Sequence, residues 1–174
     1  MRDAGHPILI TGVGKVNSAS ALGAALAVCR PSVVVNIGTA GALRDGLEGT
    51  HVIARVIQHD LDDDAIFALT GAHVGEPLDV EIPAWLAVER DRAVLATGDV
   101  FVSDPVVRDR LARHADLVDM EGYAVARTAR MAQVPAILVK QVSDPADHSA
   151  AGTWADAVHV CATVLGAWVS THLP

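Results

Sequence analysis

Aromatic residues are scarce in this chain: three Trp, one Tyr and two Phe among 174 residues, or 3%. A core with so few rings must be built from Ala, Val, Leu and Ile, which suits a parallel sheet covered by helices. Cysteine is scarcer still. Cys29 and Cys161 form no C-x-x-C motif and no disulfide framework. Lys and Arg number 13 against 21 Asp and Glu, a net charge of −8, and they form no basic run. That balance argues against a nucleic-acid partner. No apolar run approaches the ~20 residues of a membrane helix, and the opening MRDAGHPILI is too short in apolar residues for a signal peptide. A cytoplasmic protein without a membrane partner is the expectation. The eight His lack H-E-x-x-H spacing, and the acidic stretch 59–64 (HDLDDD) lacks the EF-hand pattern, so neither a metal nor a cofactor is expected.

What is present is apolar, 51% of the chain, in short runs. Residues 7–11 (PILIT), 32–37 (SVVVNI), 50–58 (THVIARVIQ), 92–97 (RAVLAT) and 136–142 (AILVKQV) read as strands, and 117–118 end another. Helices are expected from about residue 17 to 29, from Asp104-Pro105 through His114, from Tyr123 to the break at Pro135, and over 154–172. Residues 70–83, with Gly71, Gly75, Pro77 and Pro83, read as irregular surface. Trp154 and Trp168 read as core or interface residues. The class is α/β, one domain over residues 1–174, with a mostly parallel central sheet flanked by helices.

The chemistry gathers where strands end. The strand before Met120 runs into Glu121, and the strand 136–142 stops at Ser143-Asp144-Pro145, so two adjacent strands each end in a carboxylate. Ligands of open α/β sheets bind beyond the carboxyl ends of the strands. Each acid also has a plainer reading. Glu121 lies in a first helical turn, where the macrodipole favours any carboxylate, and Asp144 suits a turn or an N-cap. Gly12-Val13-Gly14-Lys15 is a glycine turn between a strand and a helix, neither a dinucleotide fingerprint nor a Walker loop. Small residues at Gly38-Thr39-Ala40-Gly41-Ala42 let a ligand approach backbone closely, with the Thr39 hydroxyl at the strand tip. Phe101, after Gly98-Asp99-Val100, offers a flat ring that suits a base, a lid or the core.

Taken in order, Gly12-Val13-Gly14-Lys15, Asn36-Ile37-Gly38-Thr39-Ala40-Gly41, Gly98-Asp99-Val100-Phe101, Val118-Asp119-Met120-Glu121 and Val142-Ser143-Asp144 resemble the motifs of the nucleoside phosphorylase/nucleosidase family. The likeness is greatest to its 5′-methylthioadenosine/S-adenosylhomocysteine nucleosidases. The resemblance runs from about Ile8 to the C-terminus. It implies the three-layer phosphorylase/hydrolase-like α/β fold, begun without the family's first strand and the glutamate it carries. It implies a homodimer and a small-molecule purine nucleoside as partner. Asp144 would protonate N7 of the departing purine, supported by Ser143. Met120 and Glu121 would lie at the ribose, Glu121 on its hydroxyls. Val100, Phe101 and Val102 would line the base, and Thr39, Ala40 and Gly41 would face ribose and water. Lys140, counted with the substrate-binding residues, stands four residues before Asp144, where the family commonly has an arginine. Asn36 stands where the phosphorylases carry their phosphate-binding arginine, which points to water as nucleophile. The implied activity is hydrolysis of a purine N-glycosidic bond. The alternatives are a futalosine-type hydrolase, a phosphorylase and a non-catalytic nucleoside binder.

Overall fold

The strand expected at residues 136–142 is the hub of the sheet. In a computed structural model, which describes residues 6–86 and 93–173, it runs as β7 (Ala136–Asp144) beside β1 (Val34–Ala42). The two pair in parallel from Val34↔Ala136 to Ala40↔Val142. Alternation along β7 explains the layering. Leu138 faces a cluster with Tyr123 and Ala126, whereas Ile137 and Val139 face a cluster with Leu165 and Trp168. The first pair belongs to α4 (Gly122–Met131) and the second to α5 (Ala150–His172), so the sheet lies between two helices. A strand buried on both faces must be apolar at every position, as this run nearly is. Each fully buried Leu or Ile contributes roughly 1.5–3 kcal/mol.

The remaining strands are β2 (Thr50–Val52), β3 (Arg55–Gln58), β4 (Leu78–Asp79), β5 (Val94–Thr97) and β6 (Leu117–Asp119). The seven are ordered β2-β7-β1-β6-β5-β3-β4. The long pairings are parallel, while β2, β4 and the short β1–β6 contact are antiparallel. Helices α1 (Lys15–Val28), α2 (Asp63–Thr70) and α3 (Pro105–Leu111) complete the fold, with α1 packed on α4. Asp104 caps α3 through the Val106 N–H, with Pro105 in its first turn, as expected. Among the described residues no helix is long and apolar enough to cross a membrane.

Four expectations need correction. Residues 7–11 form no strand. No described strand hydrogen-bonds to them, and Ile8 and Ile10 are 58% and 89% exposed, because apolar character alone does not make a strand without neighbouring backbone to pair with. The single strand over 50–58 is two. Ile53 N–H donates to Leu138 O and Ala54 N–H to Ala93 O, so the chain leaves one end of a curled sheet and enters the other within two residues. Strand β1 continues through Gly38–Ala42, beyond the expected end at residue 37, so Thr39 lies within the strand rather than at its tip. Helix α4 stops at Met131, four residues before Pro135, with Gln133 in the left-handed region. The expected strand residue Arg92 lies outside the described residues.

Candidate active site

The two acids are not on neighbouring strands, as the sequence suggested. Strand β1 lies between β6 and β7, and its residue Gly41 pairs with Val118 on one side and Asp144 on the other. Asp144 and Glu121 therefore flank the small-residue end of β1. The pairing shifts register between Ala40 and Gly41, where β7 carries Ser143 as an extra residue. Such a bulge re-aims the side chain that follows it. Asp144 is buried against β1 so closely that a Cβ on Gly41 would stand 2.9 Å from its Oδ1. That approach is why glycine is needed at position 41. Asp144 Oδ2 accepts the Ser143 hydroxyl at 2.8 Å, and Oδ1 accepts the Ala146 N–H at 3.0 Å. Both oxygens are thus oriented, and the plane of the carboxyl is set.

Glu121 is half-buried at the start of α4. Its Oε1 accepts the Gly14 N–H at 2.8 Å, across the molecule from the glycine loop. Desolvation raises its pKa above the ordinary glutamate value. The Gly14 N–H pulls it down, Asp119 pushes it up, and Lys140 pulls it down, and burial prevails. A raised carboxylate pKa means that this group's stability contribution is present at low pH and is lost as pH rises through the folded value. Glu121→Gln should therefore melt higher than the parent protein at neutral pH, with the difference fading in acid. Thermal melts across that range check it, and a lower neutral melting temperature would refute it.

All eleven candidate residues border one cavity of ≈ 1730 Å³. They do not border it alike. Val100 and Phe101 are exposed at its mouth, 56% and 43%, whereas Val102 is buried in a cluster with Leu111 and Val118 and supports the loop from below. Ala40 and Gly41 are likewise buried, while Thr39 and Met120 are partly open. Lys140 differs from the rest in being an ion-paired, buried cation. Its side chain is 1% exposed and its ammonium lies 2.8 Å from Asp119 Oδ2, itself 1% exposed. At the cavity it is held by Asp119, whose carboxylate also accepts the Thr97 hydroxyl and the Gly122 N–H.

Two partners were missed by the sequence reading. Trp154, expected in core or interface, is 40% exposed at the cavity, and its indole N–H donates to the Thr39 hydroxyl at 3.1 Å. Helix α5 begins at Ala150, earlier than expected, which swings Trp154 over the end of β1. Gly14 was the second. The glycine turn itself was legible, but not that its N–H would meet Glu121, which depends on how distant segments pack. Among the described residues no group of His, Cys, Asp and Glu could hold a metal ion.

A profile of the Phosphorylase superfamily matches residues 4–167. A 5′-methylthioadenosine/S-adenosylhomocysteine nucleosidase of Bacillus cereus (strain G9842) is 29% identical in an alignment 161 positions long that covers 81% of this chain and 69% of that protein. The S-adenosylhomocysteine nucleosidase from Streptococcus pyogenes, solved in complex with 5-methylthiotubericidin, is 28% identical with a TM-score of 0.77, over 94% of this chain and 78% of that one. The futalosine hydrolase of Helicobacter pylori shares the fold with a TM-score of 0.76 at 22% identity, over 88% of this chain and 72% of that one.

Proposed function

Because the chain belongs to the Phosphorylase superfamily, we propose that it hydrolyses the N-glycosidic bond of a purine nucleoside such as 5′-methylthioadenosine or S-adenosylhomocysteine, releasing adenine. The observation that carries this reading is the pair of carboxylates, Asp144 and Glu121, flanking the small-residue end of β1 in one cavity. N-glycoside cleavage passes through an oxocarbenium-like transition state, as glycoside cleavage does. It needs a proton for the leaving base and a carboxylate at the sugar, two tasks that suit two carboxyls in unlike surroundings.

In this reading Asp144 gives its proton to N7 of the purine, with the Ser143 hydroxyl beside it as support. Glu121 accepts hydrogen bonds from ribose hydroxyls while Met120 packs against the sugar. Thr39 receives the Trp154 N–H, which leaves its own hydroxyl proton free for ribose or water. Val100 and Phe101 cover the base. Asn36, on β1 at the cavity, is a neutral amide that offers no charge to phosphate, which supports water as the nucleophile. A homodimer of single-domain chains in the cytoplasm belongs to the same reading, because Val16 and Val28 leave exposed apolar surface that a second copy would cover.

The test is product analysis. Methylthioadenosine, S-adenosylhomocysteine and other purine nucleosides, futalosine included, are incubated with the protein in phosphate-free buffer. Free base should form, and light scattering of the same sample should read twice the chain mass. Base that forms only with phosphate would make the protein a phosphorylase. Tight binding without turnover would make it a nucleoside sensor.

A further inference from the structure

Lys15 follows Gly14 in the glycine loop, and its surroundings are more organised than a surface lysine requires. Its ammonium donates to Asp60 Oδ1 at 2.6 Å and to Gln58 Oε1 at 3.2 Å, and it stands 4.0 Å from Asp99 Oδ2. Its backbone N–H donates to Asp99 Oδ1 at 2.7 Å. The Asp99 N–H in turn donates to Asp60 Oδ2 at 2.8 Å. Asp60 thus grips both the loop before α1 and the loop after β5. Burial works against an ionised Asp60, but Lys15 and the Asp99 N–H outweigh it and hold its pKa below the ordinary value. Helix α1 has no side-chain cap of its own, since Gly14 is its N-cap with φ 93°. Asp99 supplies that cap from the loop after β5. A side chain at Gly14 would be strained by that φ, and its Cβ would meet Asp99 Oδ1 at 3.0 Å.

We infer that Lys15, Asp60 and Asp99 are positioning residues: a charged clamp that seats the glycine loop so that the Gly14 N–H is held on the Glu121 carboxylate. The same clamp ties down the start of the loop carrying Val100 and Phe101, so one cluster sets both the sugar-side carboxylate and the base-side wall. None of the three touches the ligand in this assignment. The functional consequence rests on the reading of Glu121 given above, but the clamp itself rests on geometry alone.

The charged groups around Glu121 are Asp119 from the end of β6, Lys140 from β7, and Asp99, Lys15 and Asp60 across the glycine loop, with Asp144 beyond β1. Asp60→Ala separates the clamp from simple electrostatics, because the two predict opposite signs. Removing an anion through space lowers the pKa of a nearby carboxyl, whereas releasing the Gly14 N–H donor raises it. The measurement is a carbon-13 NMR titration of the Glu121 carboxyl, with the pH profile of kcat/KM alongside it. We expect Glu121 to titrate at higher pH in Asp60→Ala, and the acid limb of kcat/KM to move the same way. Exchange of the Gly14 amide should speed up by about 10-fold or more in both Asp60→Ala and Lys15→Met, the scale of a lost hydrogen bond to a charged group. Lys15→Met carries the exchange test should Asp60→Ala not fold. A Glu121 titration that stays put or falls in Asp60→Ala overturns the clamp, as does unchanged Gly14 exchange in Lys15→Met. If the parent protein releases no base from any nucleoside, the hydrolase reading fails, while the titration and the exchange still judge the clamp.

Discussion

Asp144→Asn should lower kcat by about 100-fold or more, the lower end of what general acid catalysis supplies, with the fold unchanged. The geometry explains why this substitution isolates the proton. Asp144 Oδ1 accepts the Ala146 N–H and Oδ2 faces the Ser143 hydroxyl. An asparagine of the same shape keeps both contacts: its amide oxygen still accepts from Ala146, and its NH₂ donates to the Ser143 oxygen, which can accept as readily as donate. The close fit against Gly41 is preserved because no atom is added. Only proton donation to the leaving base is lost. Charge develops on that base in the transition state, so the loss falls on kcat more than on KM. Steady-state kinetics with a thermal melt of the same sample check it. A variant that retained near-parental kcat would return Asp144 to the plain role of a turn residue holding Ala146.

The contrast between what was legible and what was not follows physical lines. The double-faced apolar run of β7 and the acids at strand ends could be read because they are properties of residue type and spacing. Residues 7–11 looked equally strand-like, yet a strand is a relation between two stretches of backbone, and no described strand pairs with this one. The run 50–58 alternated as one strand should, but its break at Ile53–Ala54 is set by where Leu138 O and Ala93 O lie, which is tertiary information. The candidate site shows the same divide. Asp144, Ser143 and Glu121 could be read at the ends of their strands, whereas Thr39, expected at a strand tip, lies within β1. The placement of β1 between the two acids was not found, because chain order does not give sheet order. The Gly14 N–H on Glu121 was invisible because a backbone donor has no letter of its own. Lys140 was read as a ligand contact from its place ahead of Asp144, and its burial against Asp119 appears only once β7 and β6 are set on either side of β1.

Lys140→Met should be the most destabilising single change at this site. Lysine and methionine have similar length, so the substitution leaves little void, and its cost comes from the charge. Lys140 and Asp119 are each 1% exposed at the side chain and are 2.8 Å apart. Removing the ammonium leaves the Asp119 carboxylate in the interior with only the Thr97 hydroxyl and the Gly122 N–H for company. Breaking one side of a buried pair typically costs about 3–5 kcal/mol, because the surviving charge is uncompensated. For a domain of this size that corresponds to a fall in melting temperature on the order of 10 °C. The partner change tells whether charge is the cause. In the double variant Asp119→Asn with Lys140→Met no buried charge remains, so it should melt well above Lys140→Met alone. A lysine that contacted ligand directly, as its place in the sequence suggested, would behave otherwise: Lys140→Met would melt within about 2 °C of the parent, less than 1 kcal/mol, while KM rose. Melting of the three variants, read beside KM for the nucleoside, decides between a buried ion-pair partner and a ligand contact.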